Sequence, residues 1–273
     1  MRGAMAEQAQ IRVGTSAFTA AGWVGSFYPA GMKPSEYLSY YATKFDTVEV
    51  DSTFYRAPAL STVQGWYAKT PPGFVFAAKV PQVITHEKVL VACEEDLDHF
   101  LKTMDSLREK LGPLLLQFGY FNDTVFKSGR EFLARLTPFL KRLPKNYKFA
   151  VEIRNKYWLD ARFADTLREN GVALALIDQS WVPRPWEMKV KFDLITADFI
   201  YVRWLGDRKG IEEQTKTWEK PIVDRGHEMT HWVELFREFI ARNMKIFAFA
   251  NNHYAGHGPA TVKLFWELWD KKK

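Results

Sequence analysis

A single (β/α)8 TIM barrel is the fold that the sequence predicts, and three observations predict it. A chain of 273 residues suits one such barrel, which takes roughly 250 residues. Short apolar, β-rich runs recur along it with amphipathic, helix-like stretches between them. Those runs are near-continuously apolar rather than alternating, as parallel strands covered by helices require. The rival fold, an open doubly wound sheet, should carry a phosphate-binding glycine signature after its first strand. GTSAFTAAGWVG, from Gly14 to Gly25, is not GxGxxG, and no GxxxxGK[ST] occurs.

The predicted strands, in order, are IRVGTS (11–16), TVEVDST (47–53), FVFAAKV (74–80) and PLLLQF (113–118), then YKFAVEIR (147–154), VALALID (172–178), FIYVRW (199–204) and KIFAFANN (245–252). Helices are predicted between them. PSEYLSYYATKF (34–45) opens on Pro and Ser before a periodic apolar face. The stretch 93–111 sets Leu97, Phe100, Leu101, Met104, Leu107 and Leu111 on one side and charges on the other. Segments 129–143, 161–171 and 229–243 repeat the theme, with Asn243 as the stop of the last, and GPATVKLFWELWDK closes the chain. No linker, low-complexity tract or repeat divides the chain, so the domain is expected over 11–273, after a disordered segment at 1–10.

Composition narrows the function classes. Cys93 is the single cysteine, which excludes an internal disulfide and a Cys-rich metal site and suits a reducing compartment. MRGAMAEQAQ carries no apolar core of a signal peptide, Met5 is the expected natural start, and no apolar run approaches the roughly 18 residues of a membrane span. A cytoplasmic protein without a membrane partner is expected. The net charge of +6 fits an anionic ligand or weak nucleic-acid attraction as well as it fits a solvated basic surface. Aromatics make up 15% of the chain, and Trp23, Phe27, Tyr28, Tyr55, Trp158, Trp181 and Trp204 fall in loops or at strand ends, which predicts a partly aromatic pocket.

In such a barrel the reactive residues lie at the C-terminal ends of the strands. Nearly every predicted strand ends in an ionisable or hydrogen-bonding residue, which points to one shared polar mouth. Glu49 and Glu152 are candidate acid/base groups, with pairing to Arg154, Arg203 or Lys79 as the structural alternative. Lys79 is the third candidate catalytic residue, in an anion-binding or charge-balancing role ahead of Schiff-base chemistry. Candidate binding residues are Thr15, Ser16, Asp51, Tyr55, His86, Gln117, Arg154, Trp158, Asp178, Arg203, Asn252 and His253. Asp51 is expected chiefly to organise the 51–55 loop, and Arg154 and Arg203 either capture an anionic group or pair internally. His253 and His257 are four apart, but Gly256 and Gly258 interrupt a continuous helix, so no metal ligands are assigned. No cofactor is assigned. His99 reads as structural, and His227 and His231 as surface residues at a helix entrance.

Taken in order, IRVGTSAF with GWVGSFYP, YYATKFDTVEVDSTFYRAP, WYAKTPPGFVFAAKVPQVITH, LLLQF, FAVEIRNKYW and FANNHYAGHGPAT resemble the uncharacterised DUF72, or YecE-like, family over residues 11 to 270. The resemblance implies a TIM barrel and no settled activity. It likens the fold to endonuclease IV-like and xylose isomerase-like barrels, which is fold-level analogy. The family-like positions are Gly14, Thr15, Ser16, Glu49, Ser52, Thr53, Phe54, Tyr55, Lys79, His86, Gln117, Glu152, Arg154, Asn251, Asn252 and His253. Asp51 stands where the family suggests Asn, Asn155 where His often follows the arginine, and VRWLG replaces Arg-Phe-His-Gly. Two lost histidines weaken metal or histidine-based chemistry here. The leading reading is an enzyme acting on a small polar or anionic substrate, a sugar or phosphate ester, by carboxylate acid/base chemistry. The alternatives are a nucleic-acid-binding or processing protein and a non-catalytic ligand-binding barrel.

Overall fold

The computed structural model describes residues 10–271, so all but Gln10 of the segment expected to be disordered lies outside the described residues. The strands are β1 (Ile11–Thr15), β2 (Thr47–Val50), β3 (Val75–Lys79), β4 (Leu111–Gln117), β5 (Phe149–Glu152), β6 (Ala173–Gln179), β7 (Phe199–Gly206) and β8 (Lys245–Ala250). They form one parallel sheet in the order β1-β8-β7-β6-β5-β4-β3-β2, which wraps into a barrel surrounded by helices. This is the (β/α)8 architecture that the run of apolar strands predicts.

Both faces of each strand are apolar, and each has its own core. Ala77, Leu115, Ala150, Ala175, Tyr201, Phe247 and Phe249 form the cluster inside the barrel. Val48, Phe76, Leu114, Leu116, Val151, Leu174, Leu176, Val202 and Ala248 pack outward against the helices. Side chains alternate along a strand with period two. Two residues beyond Ala77, Leu115, Ala150 and Tyr201 the inward register therefore carries Lys79, Gln117, Glu152 and Arg203. The apolar plug of the barrel gives way to a polar top layer at the strand ends.

The ladder of hydrogen bonds runs from β1 round to β2, and a side chain spans the remaining gap between those two strands. The Tyr41 hydroxyl accepts the Thr15 N–H at 2.9 Å and donates to the Thr47 carbonyl at 3.1 Å. It thus stands in for a rung of the ladder while itself fully buried. The strands come so close here that a Cβ on Gly14 would meet the Thr47 carbonyl oxygen at 2.1 Å, so β1 needs glycine at this point.

The helices follow the predicted pattern with several differences. The stretch 34–45 splits into a 3-10 turn, Pro34–Glu36, and a short helix, Tyr37–Tyr41. The stretch 93–111 is helical over Glu94–Met104 and then a 3-10 segment to Lys110, where Arg108 takes φ 50°. Leu111 consequently opens β4 instead of extending the helical stripe. Helices Leu60–Ala68, Pro185–Met188 and Arg208–Gln214 carry too few buried residues for a periodic signal. The helix Gly226–Ala241 ends just before Asn243, which takes φ 59° as the predicted stop requires. Among the described residues no helix is long and apolar enough to cross a membrane.

Tyr41→Phe deletes the seam's bridge and leaves a buried amide and a buried carbonyl unpaired. It should cost about 1–3 kcal/mol, read as a lowered urea midpoint at unchanged slope. An unchanged midpoint would show that the seam closes without this hydroxyl.

Candidate functional site

One guanidinium ties the polar layer together across the barrel. Arg203, on β7, donates from Nε and Nη2 to Glu49 Oε1 on β2 at 3.0 and 2.8 Å, and from Nη1 to Glu152 Oε2 on β5 at 2.8 Å. Its Nη2 also reaches Asp51 Oδ1 at 3.2 Å. The other oxygen of Glu49 accepts the Tyr201 hydroxyl at 2.5 Å, and Glu152 Oε1 accepts Arg154 Nε at 2.7 Å. Arg154 Nη1 then donates to Gln179 at 2.7 Å. Glu49 and Glu152 are wholly buried and Arg203 is 2% exposed. Charges so far from water persist only when paired and hydrogen-bonded. Burial alone would raise the Glu152 carboxyl, but Arg154 and Arg203 overcome it and hold the group at about 2. Burial likewise works against charge on Arg203, while Glu49, Glu152 and Asp51 keep it firmly protonated.

Above this clamp stand groups that face the mouth. Asp51, in the 3-10 turn Asp51–Phe54 after β2, is hemmed in by protein yet keeps 32% of its side chain exposed. Burial, then repulsion from Glu49, pushes its carboxyl up to about 7, against the pull of Arg203 and Lys79. Lys79 Nζ lies 3.9 Å from Asp51 Oδ1 and 4.0 Å from the centre of the Phe54 ring. Burial, then the Arg203 charge, lowers its pKa. His86 sits edge-on to the same ring at 5.0 Å, with Nδ1 2.8 Å from Thr85 Oγ1. Burial and the nearby Lys79 and Arg154 charges depress its pKa. A π-turn, Val83–Glu87, presents His86, and Val89, Leu90 and Ala92 follow with φ of 45, 66 and 48°. A β-branched residue in that left-handed region is strained, and such strain gathers where a loop must hold one shape. Ser16 Oγ is buried and finds no partner among the described residues.

The remaining sequence candidates divide by strand register. Glu49, Lys79, Gln117, Glu152 and Arg203 come together as inward residues. Asp178 does not join them: it lies on the outward face of β6 beside Leu174 and Leu176. There its carboxylate accepts Trp232 Nε1 at 2.8 Å and the Tyr254 hydroxyl at 3.0 Å, and it pairs with Arg184. Trp204 also faces outward, stacked on Phe236 and fully buried. The alternation that separates Arg203 from Trp204 was masked in the sequence because both faces are apolar.

Other candidates have their hydrogen bonds committed nearby. Thr15 Oγ1 donates to the Ala17 carbonyl at 2.5 Å, and Gln117 Nε2 to the Phe118 carbonyl at 2.7 Å. Asn252 Oδ1 accepts Trp23 Nε1 and Gly258 N, and His253 is held between Asn251 and Glu212. Gly256, at φ 103°, breaks the chain between the helices Asn252–Ala255 and Gly258–Lys271, as the glycines suggested. Trp158 stacks on Phe132 at 5.5 Å, and Tyr55 stands 73% exposed. Tyr201 and Gln179 belong to the cluster and were not singled out in the sequence. Tyr201 precedes Arg203 by two on one strand face, a spacing that could have found it. Among the described residues no group of three or more His, Cys, Asp and Glu side chains is placed to hold a metal ion.

Comparisons with known proteins agree on one family. A family model described as "Protein of unknown function DUF72" matches residues 12–273. The chain is 32% identical over 118 residues to the UPF0759 protein YecE of Escherichia coli K12, a match that spans 43% of this chain and 41% of that relative's length. It is 24% identical to the UPF0759 protein YunF of Bacillus subtilis over 90% of both chains. A DUF72 family protein from Thermotoga maritima superposes with a TM-score of 0.73 at 27% identity, covering 95% of this chain and 99% of that one. D-psicose 3-epimerase, solved in the presence of D-fructose, shares the fold alone, with a TM-score of 0.54 at 11% identity over 93% of this chain and 90% of that one.

Arg203→Leu would strand Glu49 with Tyr201 as its last partner. It should cost about 3–5 kcal/mol at neutral pH. The pH dependence of stability weakens as well. In the parent protein the lowered Glu152 carboxyl contributes fully above its ordinary 4.5, and that contribution is lost as pH falls toward about 2. In the variant Glu152 keeps Arg154 but loses Arg203, so part of that contribution is gone at neutral pH and the deficit shrinks as pH falls. Denaturant melts at acid and neutral pH should show it, and a deficit that stays constant would mean that Arg203 does not help to hold Glu152 ionised.

Proposed function

This chain belongs to the DUF72 family of proteins of unknown function, and from that premise we propose that its barrel mouth is the site of an enzyme. The substrate is a small anion, a sugar phosphate or other phosphate ester, and the chemistry is proton transfer. One observation carries the reading. Asp51, a partly open carboxyl with a pKa raised to about 7, stands beside Lys79 over a floor in which Arg203 and Arg154 neutralise Glu49 and Glu152. A group that titrates near the working pH is the best compromise between holding a proton and giving it up.

The roles follow from placement. Asp51 exchanges the proton. Lys79 and the outer edge of Arg154 hold the anionic group and stabilise charge that develops on it. Glu49 and Glu152, assigned acid/base work on sequence grounds, act in this reading as counter-ions that fix Arg203. Gln117, His86 and Ser16 supply polar contacts around the rim. Charge accounting favours an anion. With Asp51 protonated, the cations Lys79, Arg154 and Arg203 face only the carboxylates Glu49 and Glu152, which leaves one positive charge for a ligand to meet. Set among buried and partly buried groups, that surplus acts more strongly than the same charge on an open surface.

The test is a thermal-shift series with sugar phosphates and other phosphate esters, from about pH 5.5 to about 8.5, spanning the Asp51 value. Stabilisation by ligand should be greatest at the acid end and fall through about 7 as Asp51 ionises. Asp51→Asn should keep the binding, lose this pH step and lose turnover. A pH step that survives in Asp51→Asn, or a parent protein that no anion stabilises, overturns the assignment.

A second outcome needs no ligand. Because folding raises the Asp51 carboxyl from 3.8 to about 7, its contribution is fully present below 3.8 and is lost as pH rises through about 7. Asp51→Asn should therefore melt no lower than the parent above pH 7 and should lack the parent's decline across that range. A lower melting temperature for the variant at alkaline pH would show that ionised Asp51 stabilises the fold.

A further inference from the structure

Four large aromatic side chains stand exposed among the described residues: Tyr55 at 73%, Tyr120 at 73%, Tyr157 at 85% and Trp181 at 51%. Each sits just after a strand, on the loops that follow β2, β4, β5 and β6. The outer helices and the opposite face of the barrel carry none. Single exposed aromatics are ordinary, but a gathering of them marks a surface meant to be covered. Tyr120, Tyr157 and Trp181 line one cavity of about 310 Å3 together with Lys127, Lys156 and Arg154. Beneath them Phe121 and Trp158 stack at 6.2 Å, which gives the loops a rigid floor. Lys156 Nζ lies 4.9 Å from the centre of the Tyr157 ring. Arg154 belongs at once to this cavity and, through Glu152, to the acid–base cluster.

We propose that this cavity is a second subsite, which stacks a planar ring carried by the same anion that the mouth binds. The substrate class is thereby narrowed to a small phosphate that bears an aromatic or heteroaromatic ring, as a nucleoside monophosphate does. The geometry divides the labour. Tyrosine and tryptophan rings offer flat stacking faces, Lys79 and Arg154 hold the anionic end in the mouth, and Arg154 joins the two halves. A monomer fits better than a polymer, because Asp123 lines the same cavity and Asp51 the adjoining mouth, so the cations form no unbroken track for a backbone. The inference rests on the reading of the mouth as an anion site.

Calorimetric titration of the full chain with adenosine monophosphate, ribose 5-phosphate and adenosine tests it. The ring-bearing phosphate should bind about tenfold or more tightly than the ring-free one. Tyr157→Ala and Trp181→Ala, both surface changes, should remove that preference and leave ribose 5-phosphate affinity and the melting temperature unchanged. Equal affinity of the two phosphates for the parent protein, or a preference that survives the double substitution, overturns the subsite. Failure of both phosphates to bind overturns it too, while the acid–base reading still stands or falls on the Asp51 pH step with other anions. A single-stranded oligonucleotide that binds more tightly than the monomer, with steep salt dependence, overturns the small-ligand form.

Discussion

The rest of the mouth depends on the Arg203 guanidinium. It reaches from β7 to carboxylates on β2 and β5, and so ties three strands together across the barrel. The planar fork matters more than the charge, because three acids are addressed by one rigid group in defined directions. Lysine could supply a positive charge but not that geometry. With Arg154 as the second cation, two carboxylates that would otherwise be ruinous to bury become a neutral platform, and mutual pairing offsets their desolvation.

That platform explains why two kinds of carboxylate coexist within a few ångströms. Glu152, gripped by two arginines, stays ionised far below ordinary pH. Asp51 sits one step farther out, where Arg203 has already spent most of its donors and Glu49 repels added negative charge. Environments that drive like groups apart in pKa separate structural from proton-carrying roles. Lys79 feels the same crowding from the opposite side, since Arg203 disfavours its charge while Asp51 supports it.

The sequence made the fold legible because eight near-continuous apolar runs leave few other ways to bury themselves. It also made the polar mouth legible as a class of strand endings. It did not show which of two neighbouring residues faces the barrel axis. Arg203 and Trp204, or Ile177 and Asp178, differ by one position and end on opposite sides of the wall, and a strand buried on both faces gives no polarity contrast to tell them apart. The roles of Glu49 and Asp51 were likewise hidden, because both are acids after the same strand and only the reach of Arg203 from more than 150 residues away sorts them. The short helices Pro185–Met188 and Arg208–Gln214 were invisible for a plainer reason: one is a single turn, and the other buries only Ile211.

The seam at Tyr41 bears on the order in which the molecule can assemble. β1 pairs along its length with β8, so the first strand made has its ladder partner only when nearly the whole chain exists. Until then β1 and β2 both present bare edges, the form of backbone most ready to pair with another molecule. Closing the ring requires contacts of very high sequence separation, which makes it a late and slow event. Arg203 cannot meet Glu49 until β7 has joined the same sheet. The clamp across the mouth therefore exists only once strands β2, β5 and β7 stand in one sheet.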